Sequence, residues 1–369
     1  MGNQTEKQGD SIMPEITIKD IAKKCGVGVS TVSRAINNHP DINQETKKMI
    51  IDVIKETGFV PNNSARNLKR TDAKCIAVLV KGITNPLFSD MIKMIEEETQ
   101  KKKYSLVLKH VEYYEDEVDV ALELVKEKRL RGIIFLGGYF LHTEEKLENL
   151  SVPYIFSTIG TAVPENISRA LYSSVAVDDR KESYTMTSYL LGLGHRDIAI
   201  LSAETEINSI GQLRLEGYQE ALEERGIPFN EKLVRNVEEN IDHFSMENGY
   251  ITTKKLIDSG EKFTALFATA DILAVGACRA ILETGLRIPE DVSVAGYDGI
   301  DVGKYYNPAL TTIVQPVKEM AKTTIRLLFD IIAGRKSYEH IVFPATLEIR
   351  ESTGLVKATG KSYDRQGSL

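Results

Sequence analysis

Between residues 75 and 298 the chain repeatedly sets a short apolar run before a longer amphipathic stretch. The runs are "CIAVLV", "SLVLKH", "GIIFLG", "YIFSTI", "DIAILS", "FTALFAT" and "VSVAGYD". The first is continuously apolar, the pattern of a buried strand, and the others read as strands. Residues 87–102 and 115–128 have helical spacing between such runs. Strands alternating with helices predict βαβ units, and therefore parallel sheets joined by right-handed crossovers. No G-x-G-x-x-G follows the first run and no P-loop occurs, so nothing in this pattern supports a nucleotide cofactor.

The region before residue 74 has a different period. Thr17 and Asp20 have the spacing of a capping box, opening a helix over residues 18–25 with Ile18, Ile21 and Ala22 on one face. Gly26 ends it, and Val27, Gly28 and Val29 form a turn. A second helix is predicted over 30–37, burying Val32, Ala35 and Ile36. Asn43 caps a third, whose apolar stripe is Met49, Ile50, Val53 and Ile54 and whose C-terminal glycine is Gly58. Helix, short glycine-containing turn, helix is the helix-turn-helix unit, whose second helix enters the DNA major groove. With Val32, Ala35 and Ile36 inward, Val29, Ser30, Ser33 and Arg34 face outward. Short side chains let the helix sit deep, Thr31 and Ser33 bring hydroxyls to phosphates or bases, and Arg34 can grip a guanine edge with two hydrogen bonds.

Charge is distributed accordingly. Residues 15–70 hold ten Lys and Arg against six acids, within a chain of net charge -7. A basic head on an acidic body fits a polyanion partner for the head. The three cysteines, Cys25, Cys75 and Cys278, are odd in number and far apart, which fits a reducing compartment and no disulfide framework. No apolar run reaches the ~18 residues of a membrane span. The first residues have no apolar core, so no secretory leader and a cytoplasmic location are expected.

The segment from "ITIKDIAKKCGVGVSTVSRAINN" to "ETGFVPNNSARNLKR" closely resembles the DNA-binding head of the lac repressor family of bacterial transcription regulators. The likeness continues through "ITNPLFSDMIKMIEEE", "LGHRDIAILS", "RLEGY", "ALFATADILAVGACRAILETGLRIPEDVSVAGYD" and "PALTTIVQP", covering residues 15–356. It departs at Gly28, where the family usually has Ser. The resemblance implies an all-α helix-turn-helix domain over 15–61, a hinge helix and linker over 62–73, and a two-lobed α/β, periplasmic-binding-protein-like effector domain over 74–356. The N-lobe is expected at 74–176 and 316–338 and the C-lobe at 177–315 and 339–356, with crossings near Val177, Gln315 and Tyr338. Residues 1–14 and 357–369 are expected to be disordered tails.

It further implies site residues. At the DNA these are Thr17, Val29, Ser30, Thr31, Ser33, Arg34 and Asn37 in the head, and Asn62, Ala65, Leu68 and Lys69 in the hinge. Leu68 is the lever that wedges into the minor groove and kinks the duplex. At the effector they are Leu87, Phe88, Asn208, Arg214, Phe244, Thr269, Asp271 and Asp298. Asp298 accepts hydrogen bonds from the ligand, Arg214 supplies a five-donor fork, and Phe244 stacks on the ligand ring. Asp271 either caps its own helix or faces the ligand. Asp178 and Asp179 look like paired carboxylates at a lobe crossing, where helix capping is the plainer role.

Asn208 stands where the purine-responsive branch has an arginine, which ranks purines below sugars. Ala270 stands where the sugar branch commonly has Asn, which leaves room for a disaccharide or other glycoside. The expected partners are a pseudo-palindromic double-stranded DNA operator, a second copy of the chain, and a sugar-type effector. A phosphorylated phosphocarrier protein as corepressor and a purine or nucleoside effector are the alternatives. The polar ending "KATGKSYDRQGSL" has no heptad leucines, so a dimer is expected rather than a coiled-coil tetramer. No nucleophile–base pair or metal-ligand spacing points to an enzyme, a metal or a cofactor.

Overall fold

A computed structural model describes residues 16–36, 38–59, 74–202, 208–335 and 337–356. The chain separates into two compact units, Met1–Ala73 and Lys74–Leu369.

The first unit contains α1 (Ile18–Lys24), α2 (Val29–Ile36) and α3 (Gln44–Thr57). Its start and stop signals are local. The Asp20 carboxylate accepts from the Thr17 N–H at 2.9 Å and from its hydroxyl at 2.6 Å. Asn43 Oδ1 accepts from the Glu45 and Thr46 N–H groups at the head of α3. Gly58 ends α3 with φ 64°, a conformation that costs a side-chain-bearing residue energy. Ile21, Ala22, Val32, Ala35, Ile42, Ile50 and Phe59 form the small core. One member of the expected stripe lies outside it: Met49 is 40% exposed, because α3 turns the Ile50 face inward.

The second unit has two six-stranded sheets. The first runs β11-β5-β4-β3-β1-β2, built from β1 (Cys75–Lys81), β2 (Ser105–Val111), β3 (Gly132–Leu136), β4 (Tyr154–Ser157), β5 (Ser173–Val177) and β11 (His340–Phe343). All its pairings are parallel. The second runs β12-β10-β9-β8-β6-β7, from β6 (Ile198–Ser202), β7 (Val234–Asn236), β8 (Ala265–Ala268), β9 (Ser293–Asp298), β10 (Thr311–Val314) and β12 (Thr346–Glu348). Here only β10–β12 is antiparallel. Each sheet thus repeats one doubly wound order, whose switch point lies beside its first strand, where ligands bind at the carboxyl ends. Strands β1, β3, β4, β5, β6, β8 and β9 are buried along their whole length. This is why all of them but β5, which opens on two serines, read as apolar runs.

The helices that cover the sheets are α4 (Pro86–Lys101), α5 (Glu117–Lys128), α6 (Glu144–Glu148), α7 (Asp179–Gly192), α8 (Ile210–Glu224), α9 (Met246–Asp258), α10 (Asp271–Glu283), α11 (Asp301–Tyr305) and α12 (Val317–Ile332). One expected boundary is corrected. Residues 339–343 belong to the first sheet and not to the second lobe, because β11 pairs with β5 from His340↔Ser174 to Phe343↔Val177. Ser174 Oγ and His340 Nδ1, 2.9 Å apart, fix that register. The third crossing therefore follows Phe343 instead of Tyr338. Among the described residues no helix is long and apolar enough to cross a membrane.

Candidate DNA interface and effector cleft

In the head, α2 begins without a side-chain cap: the Gly28 carbonyl accepts the first helical bonds from the Thr31 and Val32 N–H groups. Val32 and Ala35 are buried, whereas Val29, Ser30 and Arg34 are exposed and Thr31 and Ser33 half-buried. Ile36, expected inside, is half-buried. The outward face is therefore a patch of small polar side chains with one guanidinium, and no acidic residue occupies the first turn. A helix N-terminus with that surface attracts phosphates. The expected DNA residues Asn37, Asn62, Ala65, Leu68 and Lys69 lie outside the described residues.

In the body, the carboxyl ends of β6, β8 and β9 converge on two buried charges. Asp298, the last residue of β9, is 2% exposed. Its carboxylate accepts from Asn85 Nδ2 at 3.0 Å and Gln315 Nε2 at 2.9 Å. Burial pushes this carboxyl up to about 6, against the lowering effects of Arg214 and the two amides. Its φ of 114° is a conformation that non-glycine residues rarely adopt, and such strain concentrates at ligand sites. Arg214, on α8, is 7% exposed. Its Nε and Nη2 lie 2.9 and 2.8 Å from Asp179 Oδ1. Its Nη1 donates to the Thr269 carbonyl, and its guanidinium lies 3.6 Å from the centre of the Tyr297 ring. Burial opposes the charge, but Asp179, Tyr297 and Asp298 outweigh it and hold Arg214 well above the ordinary arginine range.

The first lobe supplies the opposite wall. Asn85 caps α4 through Oδ1, which accepts from the Leu87 N–H, so its amide is fixed while reaching across to Asp298. Leu87 and Phe88 are buried behind it. Phe244 of the second lobe packs on Gly82 so closely that a Cβ there would stand 3.2 Å from Phe244 Cδ2. Beside this contact Tyr113 and His243 stack from opposite lobes, with ring centroids 4.1 Å apart. The lobes meet again where Phe140 N–H donates to the Asn208 carbonyl and Asn208 Nδ2 donates to the Phe140 carbonyl.

Four expectations are refined by these contacts. Asp178 does cap α7, accepting from the Lys181 N–H, but Asp179 turns inward to Arg214. Asp271 does not cap its own helix, which has Ala270 at the cap; its carboxylate accepts from the N–H groups of Gly299 and Ile300. Asn208 binds the opposite lobe through its amide. Thr269 contributes its backbone carbonyl.

Sequence reasoning missed Asn85, Gln315, Tyr297 and a buried charge network at the end of β1. There Lys81 Nζ meets Glu117 Oε2 at 3.0 Å, Glu117 Oε1 meets His142 Nε2 at 2.9 Å, and Lys146 meets Asp116 at 2.6 Å. Burial would raise the Glu117 carboxyl, but His142 and Lys81 more than offset it and hold it below its usual value. Lys81 also lies over the Tyr139 ring, and Tyr139 donates to the Tyr113 carbonyl, so the network stiffens the aromatic rim. An Asn before a helix-opening Pro was the one readable sign, for Asn85.

Residues 17–62 match the bacterial regulatory proteins of the lacI family, and residues 187–353 match a periplasmic binding protein-like domain. The chain is 40% identical over 342 residues to the HTH-type transcriptional regulator MalR of Clostridium butyricum, covering 91% of this chain and 99% of that protein. It superposes with TM-score 0.68 and 25% identity on the lac repressor dimer bound to operator and the anti-inducer ONPF, covering 92% and 99% of the two chains. It superposes with TM-score 0.66 and 33% identity on a LacI family regulator from Enterococcus faecium with bound ribose, covering 77% and 100%. The chain therefore belongs to the lacI family of bacterial regulatory proteins: it is a DNA-binding transcriptional regulator with a helix-turn-helix head and a periplasmic-binding-protein-like body.

Proposed function

We propose that this regulator is a repressor, binding a two-fold operator as a dimer, whose operator affinity is set by a sugar held between its lobes. The observation that supports this most is the buried Asp298 carboxylate with the Arg214 fork 4.0 Å away; the Phe244 ring is assigned to the same ligand by the family resemblance. A carboxylate and a guanidinium address neighbouring hydroxyls from opposite directions, and an aromatic face receives the apolar side of a pyranose or furanose. The ribose bound in the Enterococcus faecium relative is of that chemical class. Asn208 offers no charged fork to a purine, and its amide is engaged with Phe140, which supports a sugar over a purine. Control of DNA binding requires the effector to prefer one lobe arrangement, since equal affinity for both shifts nothing.

The test is a thermal-shift screen against mono- and disaccharides, sugar phosphates, nucleosides and purine bases, followed by operator binding with each hit. A ligand at 100 times its Kd adds about 2.7 kcal/mol, enough for a visible rise in Tm. A sugar that raises Tm and changes operator affinity is the expected result. A response to purines or nucleosides alone overturns the sugar reading.

A further inference from the structure

We infer that Asp271 is a positioning residue for the effector-binding carboxylate Asp298, acting through the turn that follows β9; this rests on the role given to Asp298 above. Asp271 is fully buried, at 0% exposure. One carboxylate oxygen, Oδ2, accepts from both the Gly299 and the Ile300 N–H, each at 2.8 Å. The other, Oδ1, accepts from the Thr312 hydroxyl of β10 at 2.5 Å. The two backbone groups so held are those immediately after Asp298, which itself sits at φ 114° and is followed by Gly299 at φ 78°. Left-handed backbone at a non-glycine residue persists only where its surroundings enforce it, and Asp271 is the side chain that holds the two backbone N–H groups after Asp298. The strand is shaped to admit it. A Cβ on Gly296 would stand 2.1 Å from Asp271 Oδ1, so β9 has a glycine where the carboxylate lies against it. Thr312 and Gln315 belong to the same strand and its exit, so one carboxylate ties the turn to the element whose Gln315 amide also binds Asp298.

The geometry distinguishes two substitutions. Asparagine can accept both N–H groups on its one oxygen and turn its amide to the Thr312 oxygen. Alanine can do neither. The experiment is residue-resolved amide exchange at Gly299 and Ile300 in the full ligand-free chain, with calorimetric titration of ribose and cellobiose alongside. Asp271→Ala is expected to speed exchange at both amides about tenfold or more, because each loses its buried hydrogen-bond acceptor, while Asp271→Asn keeps them protected. Equal protection in the alanine variant, or equal loss in both variants, overturns the inference. Should the alanine variant fail to fold, Thr312→Val is expected to speed the same two amides and spare those of β6; no change at either amide overturns it. Asp298→Ala is expected to lose sugar binding with Gly299 and Ile300 still protected, whereas Asp271→Ala loses both. A chain that binds neither sugar removes support from the sugar reading and leaves Asp271 to be decided by exchange. Wild-type sugar binding in Asp271→Ala despite fast exchange refutes positioning.

Discussion

The Arg214 guanidinium and the Asp298 carboxylate stand 4.0 Å apart with no hydrogen bond between them. Each is occupied elsewhere: Arg214 with Asp179 and the Thr269 carbonyl, Asp298 with Asn85 and Gln315. The site is thus a charge pair held slightly open by its neighbours. A hydroxyl can accept from one partner and donate to the other, while the Asn85 contact links such an event to closure of the lobes.

The first prediction concerns Arg214→Lys. Lysine keeps the charge but cannot present two nitrogens to Asp179 and a third to Thr269, nor lie flat on Tyr297. Sugar affinity is expected to fall by about ten- to a hundredfold, the loss of a charged hydrogen bond. Because Asp179 is left with a poorer buried partner, stability falls as well, by about 3 kcal/mol. Calorimetric titration and urea unfolding measure the two effects. Unaltered affinity in a stable variant removes Arg214 from the effector site.

A second prediction follows from the carboxyl of Asp298, raised to about 6 by burial. A ligand hydroxyl that donates to Asp298 needs the ionised form. Effector affinity should be nearly constant above pH ~7 and should fall about tenfold per unit below pH ~6, following the protonated fraction. Isothermal titrations across pH 5–8 read this directly. A flat profile would mean that the ligand does not rely on the Asp298 charge.

Stability should show a different dependence, governed by Asp271. Burial raises this carboxyl to about 8, with the Asp298 charge adding to it against the donors from Thr312, Ile300 and Gly299. In the unfolded chain it titrates near 3.8. The folded state therefore binds more protons between these values, so this contribution is complete below pH ~4 and is lost as pH rises through about 8. The slope from one such group is at most about 1.4 kcal/mol per pH unit. Urea unfolding of wild type and Asp271→Asn at several pH values isolates it. The asparagine variant should show the shallower decline.

Local features account for what could be read in advance. Asn43, Gly58 and the Thr17–Asp20 pair act within four residues of themselves, and β1, β3 and β6 are apolar because both faces are covered. The strands without such a pattern, β5 "SSVAV", β10 "TTIV" and the edge strands β7, β11 and β12, are short or polar and gain their identity from a neighbour in the sheet. The site divides in the same way. Asp298 and Arg214 were visible through the family resemblance. The partners that give them geometry lie far along the chain, Asn85 and Asp298 being 213 positions apart and Asp179 and Arg214 35. Asp271 was ambiguous because the start of a helix offers every carboxylate a capping role, and only the tertiary fold shows its oxygens on the next strand's turn.

Two glycines on the body's helices should respond oppositely to alanine. A Cβ on Gly276 would stand 2.0 Å from the Met246 carbonyl, where α9 and α10 cross in backbone contact. Gly276→Ala must separate that pair and should cost about 3 kcal/mol or more. Gly192, the last residue of α7, has nothing within 4 Å of an added Cβ. Gly192→Ala should stabilise by about 0.5–1 kcal/mol, through reduced freedom of the unfolded chain and better helix propensity. Urea midpoints of the two variants test the packing of the second lobe independently of any ligand.

Arg34 is the one guanidinium on the outward face of α2, with exposed Val29 and Ser30 a turn before it. If it reads a guanine edge, Arg34→Ala should cost about 1–3 kcal/mol on the preferred operator and relax preference at one base pair in each half-site. Binding to unrelated DNA should hardly change, and the slope of affinity against salt should be retained. If it holds a phosphate instead, the loss should be similar on every sequence and the salt slope should drop by about one per contact. Fluorescence anisotropy on an operator, on single-base variants of each half-site and on random duplex, each at several salt concentrations, distinguishes the two. A uniform loss with a smaller salt slope would move the sequence-reading role to Val29, Ser30 and Thr31 and leave Arg34 as an anchor on the backbone.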